Sequence, residues 1–460
     1  MGARLARDAA HALPPDLAAR RAALGAPRLR ARRARRARRA RRALRAPDPR
    51  LPGARAARRG DVVTADVIVV GAGPAGAATA ILLAEHGASV LVLDRARFPR
   101  PKLCGEYLSP EAPRVLDRLG VLKAVDGVAV PLAGMRITAP DGTVLTGAYR
   151  ALGPFRPYRE QAMALPRATL DALLVERLRA LPVDFREDVR VTDVRVEAGR
   201  VVGVRALDRA ARALEARAPL VVAADGRASV VAQQLGLRRP HRLRRMALVT
   251  YVEGLAGAPE PRLGEIFVDP PDYAILNPVA PDRANLSLVV PLADAAPWSA
   301  RLETFFTARA RQLPHLARRL AGARMVAPVR ALGPLAYEVA PPGVGGLLLV
   351  GDAGGFFDPL TGEGVFRALR GAELAAAAAV RALRAGDCSH AALRPYERAR
   401  RAAFAGKARL ARALHLVVAH RRLANLAARA LARRPAGLDL LLGVLGDYVP
   451  PRALLRPRAW

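Results

Sequence analysis

The sequence predicts an α/β fold: a parallel sheet that opens with a β-turn-α unit, an antiparallel sheet inserted into it, and a helical C-terminus. Three observations predict it. An apolar strand runs into a glycine-rich turn and a helix over 66–86. Short alternating runs such as Asn285–Val290 recur between about 241 and 330, the period of half-buried strands. Residues 364–434 are rich in Ala, Leu and Arg, all good helix formers.

The opening unit reads Asp66-Val-Ile-Val-Val-Gly71-Ala-Gly73-Pro74-Ala75-Gly76. Residues 66–70 form a strand, 75–86 a helix and 89–94 a second strand. Residues 67–84 are uncharged and mostly apolar, long enough to suggest a membrane span. Gly71, Gly73, Pro74 and Gly76 break that run into strand and helix, so a buried β-turn-α is the better reading. Gly71 permits the tight turn, Gly73 lets the backbone approach a pyrophosphate, and Gly76 lets helix and strand pack closely. The helix N-terminus then offers free N–H groups and its positive dipole end to the phosphates. Asp94 ends the second strand, where a carboxylate accepts ribose hydroxyls and repels a 2′-phosphate. The unit therefore predicts FAD or NAD rather than NADP. Arg95 adjoins the same strand end.

Two further stretches repeat the pattern of strand, acidic turn and loop. One is Leu220-Val-Val-Ala-Ala-Asp225-Gly226. The other is Leu347-Leu-Leu-Val-Gly351-Asp352, continuing through Pro359 to Gly362-Glu363-Gly364. Asp352 is placed to hold a polyol hydroxyl. A helix starting near Gly362–Gly364 would favour negative charge on a reduced flavin and raise its potential. Between these motifs the pattern predicts a helix near 110–119 and an amphipathic helix over 168–180 with Leu170, Leu173, Leu174 and Leu178 on one face. It also predicts a hairpin over Val189–Val196 and Arg200–Leu207. The resulting division is 61–240 with 331–390 as a discontinuous cofactor domain, 241–330 as a substrate domain, and 391–460 as a C-terminal helical region.

In this order and spacing the three motifs resemble the p-hydroxybenzoate-hydroxylase-like flavoprotein superfamily over about residues 64–390. Phe98-Pro-Arg100-Pro-Lys102-Leu-Cys104-Gly105-Glu106-Tyr107-Leu-Ser-Pro and Gly351–Gly364 are most similar to its geranylgeranyl-reductase-like branch. The resemblance implies a Rossmann-like FAD-binding domain. Gly71, Gly73, Gly76 and Asp94 would hold the ADP half, Arg100 and Lys102 would lie near the pyrophosphate or the flavin edge, and the Cys104-Gly105 loop would pass the ring. Asp352 would bind ribitol, with Pro359, Gly362 and Gly364 near the pyrimidine side. Arg167 and Asp171 match an Arg-x-x-x-Asp pattern, although a solvated helix face explains them equally well. Cys104, Glu106 and Tyr107 are candidate proton donors. Cys104 reads equally well as a small buried residue without chemistry.

The resemblance implies reduction of a C=C bond in an apolar, isoprenoid- or polyketide-like substrate by reduced FAD. NAD(P)H would be the transient electron donor. Hydroxylation with NAD(P)H and O2 is the second reading, because the fold hosts both chemistries. Related reductases carry a Tyr-x-Trp-x-Phe-Pro strand, where this chain has Tyr273-Ala-Ile-Leu-Asn277-Pro278. The Trp-x-Trp-x-Ile-Pro strand of flavin-dependent halogenases is missing, which argues against halogenation.

Charge and cysteine usage bound the rest. The 460 residues carry a net charge of +35. Residues 1–60 alone hold 19 Arg and 3 Asp, including the run Arg30–Arg45. Such a block repels itself and buries nothing, so a disordered head is the first reading. Binding to nucleic acid or anionic membrane, a targeting leader, and a true start at Val62 or Val63 are the others. An Arg-rich nucleic-acid-binding protein on a flavoprotein scaffold is thus the alternative of another class, although no nucleic acid is expected for the folded body. Two cysteines, Cys104 and Cys388, make neither a disulfide framework nor a metal-ligand spacing. A cytoplasmic location is expected. Peripheral membrane contact is expected if the stretch Leu410–His420, apolar on one side and basic on the other, lies on a bilayer rather than packing inward.

Overall fold

The computed structural model describes residues 57–59, 62–255 and 262–455, all within the unit Pro49–Trp460. The readings of the arginine run fall outside the described residues. The cofactor sheet has five strands, all parallel, in the order Asp184–Arg186, Val90–Leu93, Val67–Val70, Leu220–Ala223, Leu347–Leu349. Numbered along the chain this is 3-2-1-4-5, the Rossmann order. The strand Asp184–Arg186 carries Asp and Arg and was not legible from pattern.

Successive residues of these strands point to opposite faces, and both faces are covered. Val67, Val69, Val90, Val92, Leu220 and Val222 join the helices Pro74–Glu85, Arg167–Arg179 and Gly364–Arg384. Ile68, Val70, Leu91, Leu93, Val221 and Ala223 meet a second, five-stranded sheet. That sheet contains the expected hairpin, Arg190–Glu197 with Arg200–Leu207, together with Ala213–Arg217, Val62–Thr64 and Ala57–Arg59. Val62–Thr64 pairs in parallel with Glu215–Arg217, and Ala57–Arg59 pairs with Val62–Thr64. Residues 57–59, placed by sequence in a disordered head, are therefore strand.

The substrate layer is an eight-stranded sheet. Its long antiparallel strands are Arg245–Glu253, Leu263–Asp269, Asp272–Pro278 and Arg283–Pro291, all inside the span predicted for it. Gly134–Thr138 adds to Leu263–Asp269 in parallel, and Val144–Ala148 follows as the edge. These two strands come from the span read as cofactor domain, so this layer is discontinuous too. One face, with Phe267, Leu276, Leu286 and Leu288, is closed by the helices Leu302–Gln312 and Pro314–Arg319, which the strand pattern had hidden. The other face, with Met135, Ile266 and Ile275, looks toward the cofactor sheet and the C-terminal helices. Those helices are His390–Val418, Arg421–Ala432 and Pro435–Leu445. The last lies on the edge strand: a Cβ on Gly147 would stand 2.5 Å from Leu442 Cδ1. Among the described residues no helix is long and apolar enough to cross a membrane.

Candidate active site

One cavity of about 620 Å3 runs from the C-terminal ends of the parallel strands to the inner face of the substrate sheet. Ligand sites of α/β folds lie at such strand ends. Every residue of the glycine turn, the Asp94 strand end, the Arg100–Tyr107 segment, Arg167, Asp225-Gly226, Gly351-Asp352 and Pro359–Gly364 lines it, apart from Ala72 and Gly76.

The glycine turn is built as its spacing requires. Gly71 has φ +95°, and a Cβ there would lie 2.6 Å from the Ala224 carbonyl oxygen. A Cβ on Gly76 would fall 1.8 Å from the Gly71 oxygen. Gly73 is open, its nearest neighbour being Arg100 Nη2 at 3.6 Å, so a ligand can reach the backbone there. Asp94 Oδ2 accepts from Ala72 N at 2.7 Å and Oδ1 from Ala96 N at 2.8 Å. The carboxylate thus fixes the turn and keeps further lone pairs with which a ribose hydroxyl could be accepted. Arg95 is exposed at the rim.

Arg167 and Asp171 are not on a solvated face. Asp171 is fully buried, with Arg167 Nε 3.0 Å from Oδ1, Nη2 3.1 Å from Oδ2, and Arg100 Nη1 3.5 Å from Oδ2. Burial and the nearby Arg100 and Arg167 charges hold the Lys102 ammonium below its usual range. This cationic wall suits a pyrophosphate. Burial raises the Asp352 carboxyl against the pull of Arg367, Arg167, Arg227 and Lys102. Asp225 Oδ2 accepts from Val230 N at 2.8 Å, which fixes the start of the next helix. Asp225 Oδ1 and Asn277 Oδ1 are buried without a partner among the described residues, and both residues line the cavity. Orphaned acceptors, an open Gly73 and a cationic wall together fit a dinucleotide.

The Cys104-Gly105-Glu106 loop is held from the substrate sheet. Asn285 Nδ2 donates to the Cys104 carbonyl at 3.1 Å and Asn277 Nδ2 to the Gly105 carbonyl at 2.7 Å. Glu106 sits at φ 57° and is buried. Its carboxylate accepts from Arg167 N at 2.9 Å, Tyr251 OH at 2.6 Å and Asn285 Nδ2 at 3.3 Å. Burial raises its carboxyl while three donors converge on it and lower it in part, so Glu106 ties the loop to the substrate sheet and stays a candidate proton donor. Glu106→Gln turns an amide NH2 toward those donors and should cost about 1–3 kcal/mol with loss of loop order. Thermal melting and FAD affinity should fall together. A variant that melts normally and binds FAD but cannot turn over would make Glu106 the donor.

Cys104 is half-buried, and its Sγ accepts from Glu106 N at 3.3 Å. Tyr107 is buried, its hydroxyl 2.6 Å from that of Tyr149. Burial lifts both phenols far above their usual range, so both stay protonated. Two hydroxyls own two protons and their mutual bond uses one. Tyr273, at the start of the strand that departs from the reductase pattern, is fully buried with its hydroxyl 2.5 Å from Asp358 Oδ1. The walls beyond the loop are apolar: Met135, Ile137, Val249, Ile266, Ile275 and Leu332, with Leu442 and Leu445 from the C-terminal helix. Sequence reasoning missed these and Tyr149, Tyr251 and Asn285. The one available signal was Asn285 and Ser287 occupying alternate positions of an otherwise apolar strand.

Behind Glu363 the C-terminus is clamped by a buried cation. Lys407 Nζ donates to the Leu445 carbonyl at 2.6 Å and to Asp447 Oδ1 at 2.7 Å, and lies 3.9 Å from Glu363 Oε2. Burial pushes the Asp447 carboxyl up to about 6 against the pull of Lys407. A folded pKa above the unfolded one means the fold binds this proton more tightly. The stabilisation is full below about pH 4 and is lost as pH rises through about 6. The melting-temperature difference between wild type and Asp447→Asn should therefore move against wild type between about pH 4 and pH 7. A flat difference would place that carboxylate in water.

A Rossmann-order sheet whose glycine turn, acidic strand ends and helix N-terminus converge on one cavity defines an FAD-dependent oxidoreductase. The family model described as FAD binding domain matches residues 64–410, and the chain belongs to that family. It is 32% identical over 355 residues to digeranylgeranylglycerophospholipid reductase of Methanospirillum hungatei, covering 75% of this chain and 82% of that one. The enzyme of the same name from Methanoculleus marisnigri is 30% identical over 349 residues, 74% and 83% of the two chains. Among solved structures, the myxobacterial chondrochloren halogenase CndH superposes with a TM-score of 0.71 at 27% identity, covering 83% of this chain and 92% of that one.

Proposed function

We propose that the enzyme reduces a C=C bond of an apolar, isoprenoid-like substrate, with FAD reduced by a transient donor such as NAD(P)H. The apolar wall of the cavity carries this reading, together with the identity to reductases whose names specify a geranylgeranyl lipid. Reduced FAD supplies the hydride when bound. This chain's residues do the remainder. The turn at Gly71–Gly76, the cationic wall and Asp352 hold and orient the cofactor. Met135, Ile137, Ile266 and Ile275 exclude water from the bond being reduced. The proton comes from Cys104 Sγ or from the Tyr107–Tyr149 pair, which face the cavity from adjoining elements.

The test is anaerobic: FAD-loaded enzyme, dithionite, and a geranylgeranyl lipid, followed by product mass. A product that gains two hydrogens per turnover supports the reading. A product that gains an oxygen atom, formed only with NAD(P)H in air, would replace it with hydroxylation.

A further inference from the structure

We infer that the tip formed by the helices His390–Val418 and Arg421–Ala432 seats on an anionic lipid surface. Leu416, near the end of the first helix, and Leu423 and Leu426 on the second leave 64%, 47% and 66% of their surface exposed. Among the described large apolar side chains only Leu455 exceeds Leu416 and Leu426. The exposure is not loose packing. On the inner side of the same helix Ala424 and Ala428 are buried against the substrate layer. Asn425 Oδ1 accepts from Asp141 N at 3.1 Å, and Arg429 Nε is 2.8 Å from Asp141 Oδ2. The helix is fixed, and its leucines are fixed outward.

The charge around them selects the partner. From 398 to 438 the sequence has ten Arg and one Lys but no Asp or Glu. Arg422, Arg433 and Arg434 are exposed and make no ion pair among the described residues. A second copy of this chain, itself at +35, would be repelled by that face. Nucleic acid would satisfy the arginines but not the leucines. A bilayer with anionic headgroups satisfies both, the arginines at headgroup level and the leucines at the acyl boundary. No described helix can cross a membrane, so the contact is interfacial.

The seat also adjoins the cavity. Val418 and Leu431, on the same two helices, pack against the cluster that contains Met135, Ile275 and Leu442, three residues that line it. Entry of a lipid substrate along this path rests on the function proposed above; the seating does not.

The arginine-rich N-terminal segment could itself draw the full chain to anionic vesicles, so sedimentation alone does not test the seat. Depth does. FAD-loaded full-length Leu426→Trp is mixed with phosphatidylcholine vesicles carrying brominated acyl chains, with and without phosphatidylglycerol. Wild type supplies the background from Trp298 and Trp460. The expected result is quenching beyond wild type that requires phosphatidylglycerol. Replacing Leu416, Leu423 and Leu426 with Ser should weaken partitioning by about tenfold or more while flavin absorbance is unchanged. Vesicle binding with no extra quenching would show the leucines in water and overturn the seat. So would a concentration-dependent doubling of mass that the Ser variant abolishes, which would make this face an interface between copies.

Discussion

Gly76→Ala should yield a protein that purifies without its yellow colour. The added Cβ would lie 1.8 Å from the Gly71 oxygen and 3.2 Å from Ala224 Cβ, with backbone on one side and a packed strand end on the other. Neither can yield separately. The helix must back away from the strand, and its N-terminal N–H groups leave the phosphate position with it. We expect FAD affinity to fall by about 100-fold or more and stability by about 1–3 kcal/mol. Gly73→Ala is the contrast. Its Cβ meets only Arg100 Nη2 at 3.6 Å, so the fold should melt normally while the methyl occupies the ligand's approach. Flavin absorbance after desalting and a thermal melt separate the two. Stoichiometric FAD in Gly76→Ala would refute the close packing on which the site depends.

Asp171→Ala should be the most destabilising single change at a charged residue of the site. The carboxylate is fully buried and serves both Arg167 and Arg100. Removing it leaves a buried guanidinium without a counter-charge, which costs about 3–5 kcal/mol and on the order of 5 °C or more in melting temperature. The paired change Asp171→Leu with Arg167→Met should recover most of that loss, because it removes both desolvated charges together. FAD affinity should not recover with it, since the cationic wall is then incomplete. A loss below about 1 kcal/mol for Asp171→Ala would mean the pair behaves like a surface ion pair, contrary to its burial.

What was legible in the sequence follows from range. The Gly71–Gly76 turn, its strand and its helix are set within about thirty residues by backbone sterics and apolar runs, and they stand where the spacing put them. The helix over 167–179 was equally legible, because Leu170, Leu174 and Leu178 mark its inner face. Asp171 was legible only in part: it matched the Arg-x-x-x-Asp pattern, but a carboxylate at an inward position reads equally well as solvent-facing until its partner is known. The short strand Asp184–Arg186 failed for the same reason. It is an edge strand of three residues, two of them charged, and only its parallel neighbour Val90–Leu93 makes it a strand.

The sequence by itself determined the cofactor turn and the ends of the parallel strands, since each rests on local conformation that a few adjacent residues impose, while the class of chemistry came from the resemblance its three motifs carry. Only the tertiary structure decided which side chains close the site. Glu106 became a holder of the loop because Tyr251 and Asn285 arrive from strands more than a hundred residues away. Tyr273 lies in the core, where Asp358 holds its hydroxyl. Leu442 and Leu445 joined the cavity because the C-terminal helix finds its apolar partner on the strand at Gly147. Such pairings depend on where a chain returns in space, and hydrophobic periodicity carries no record of that.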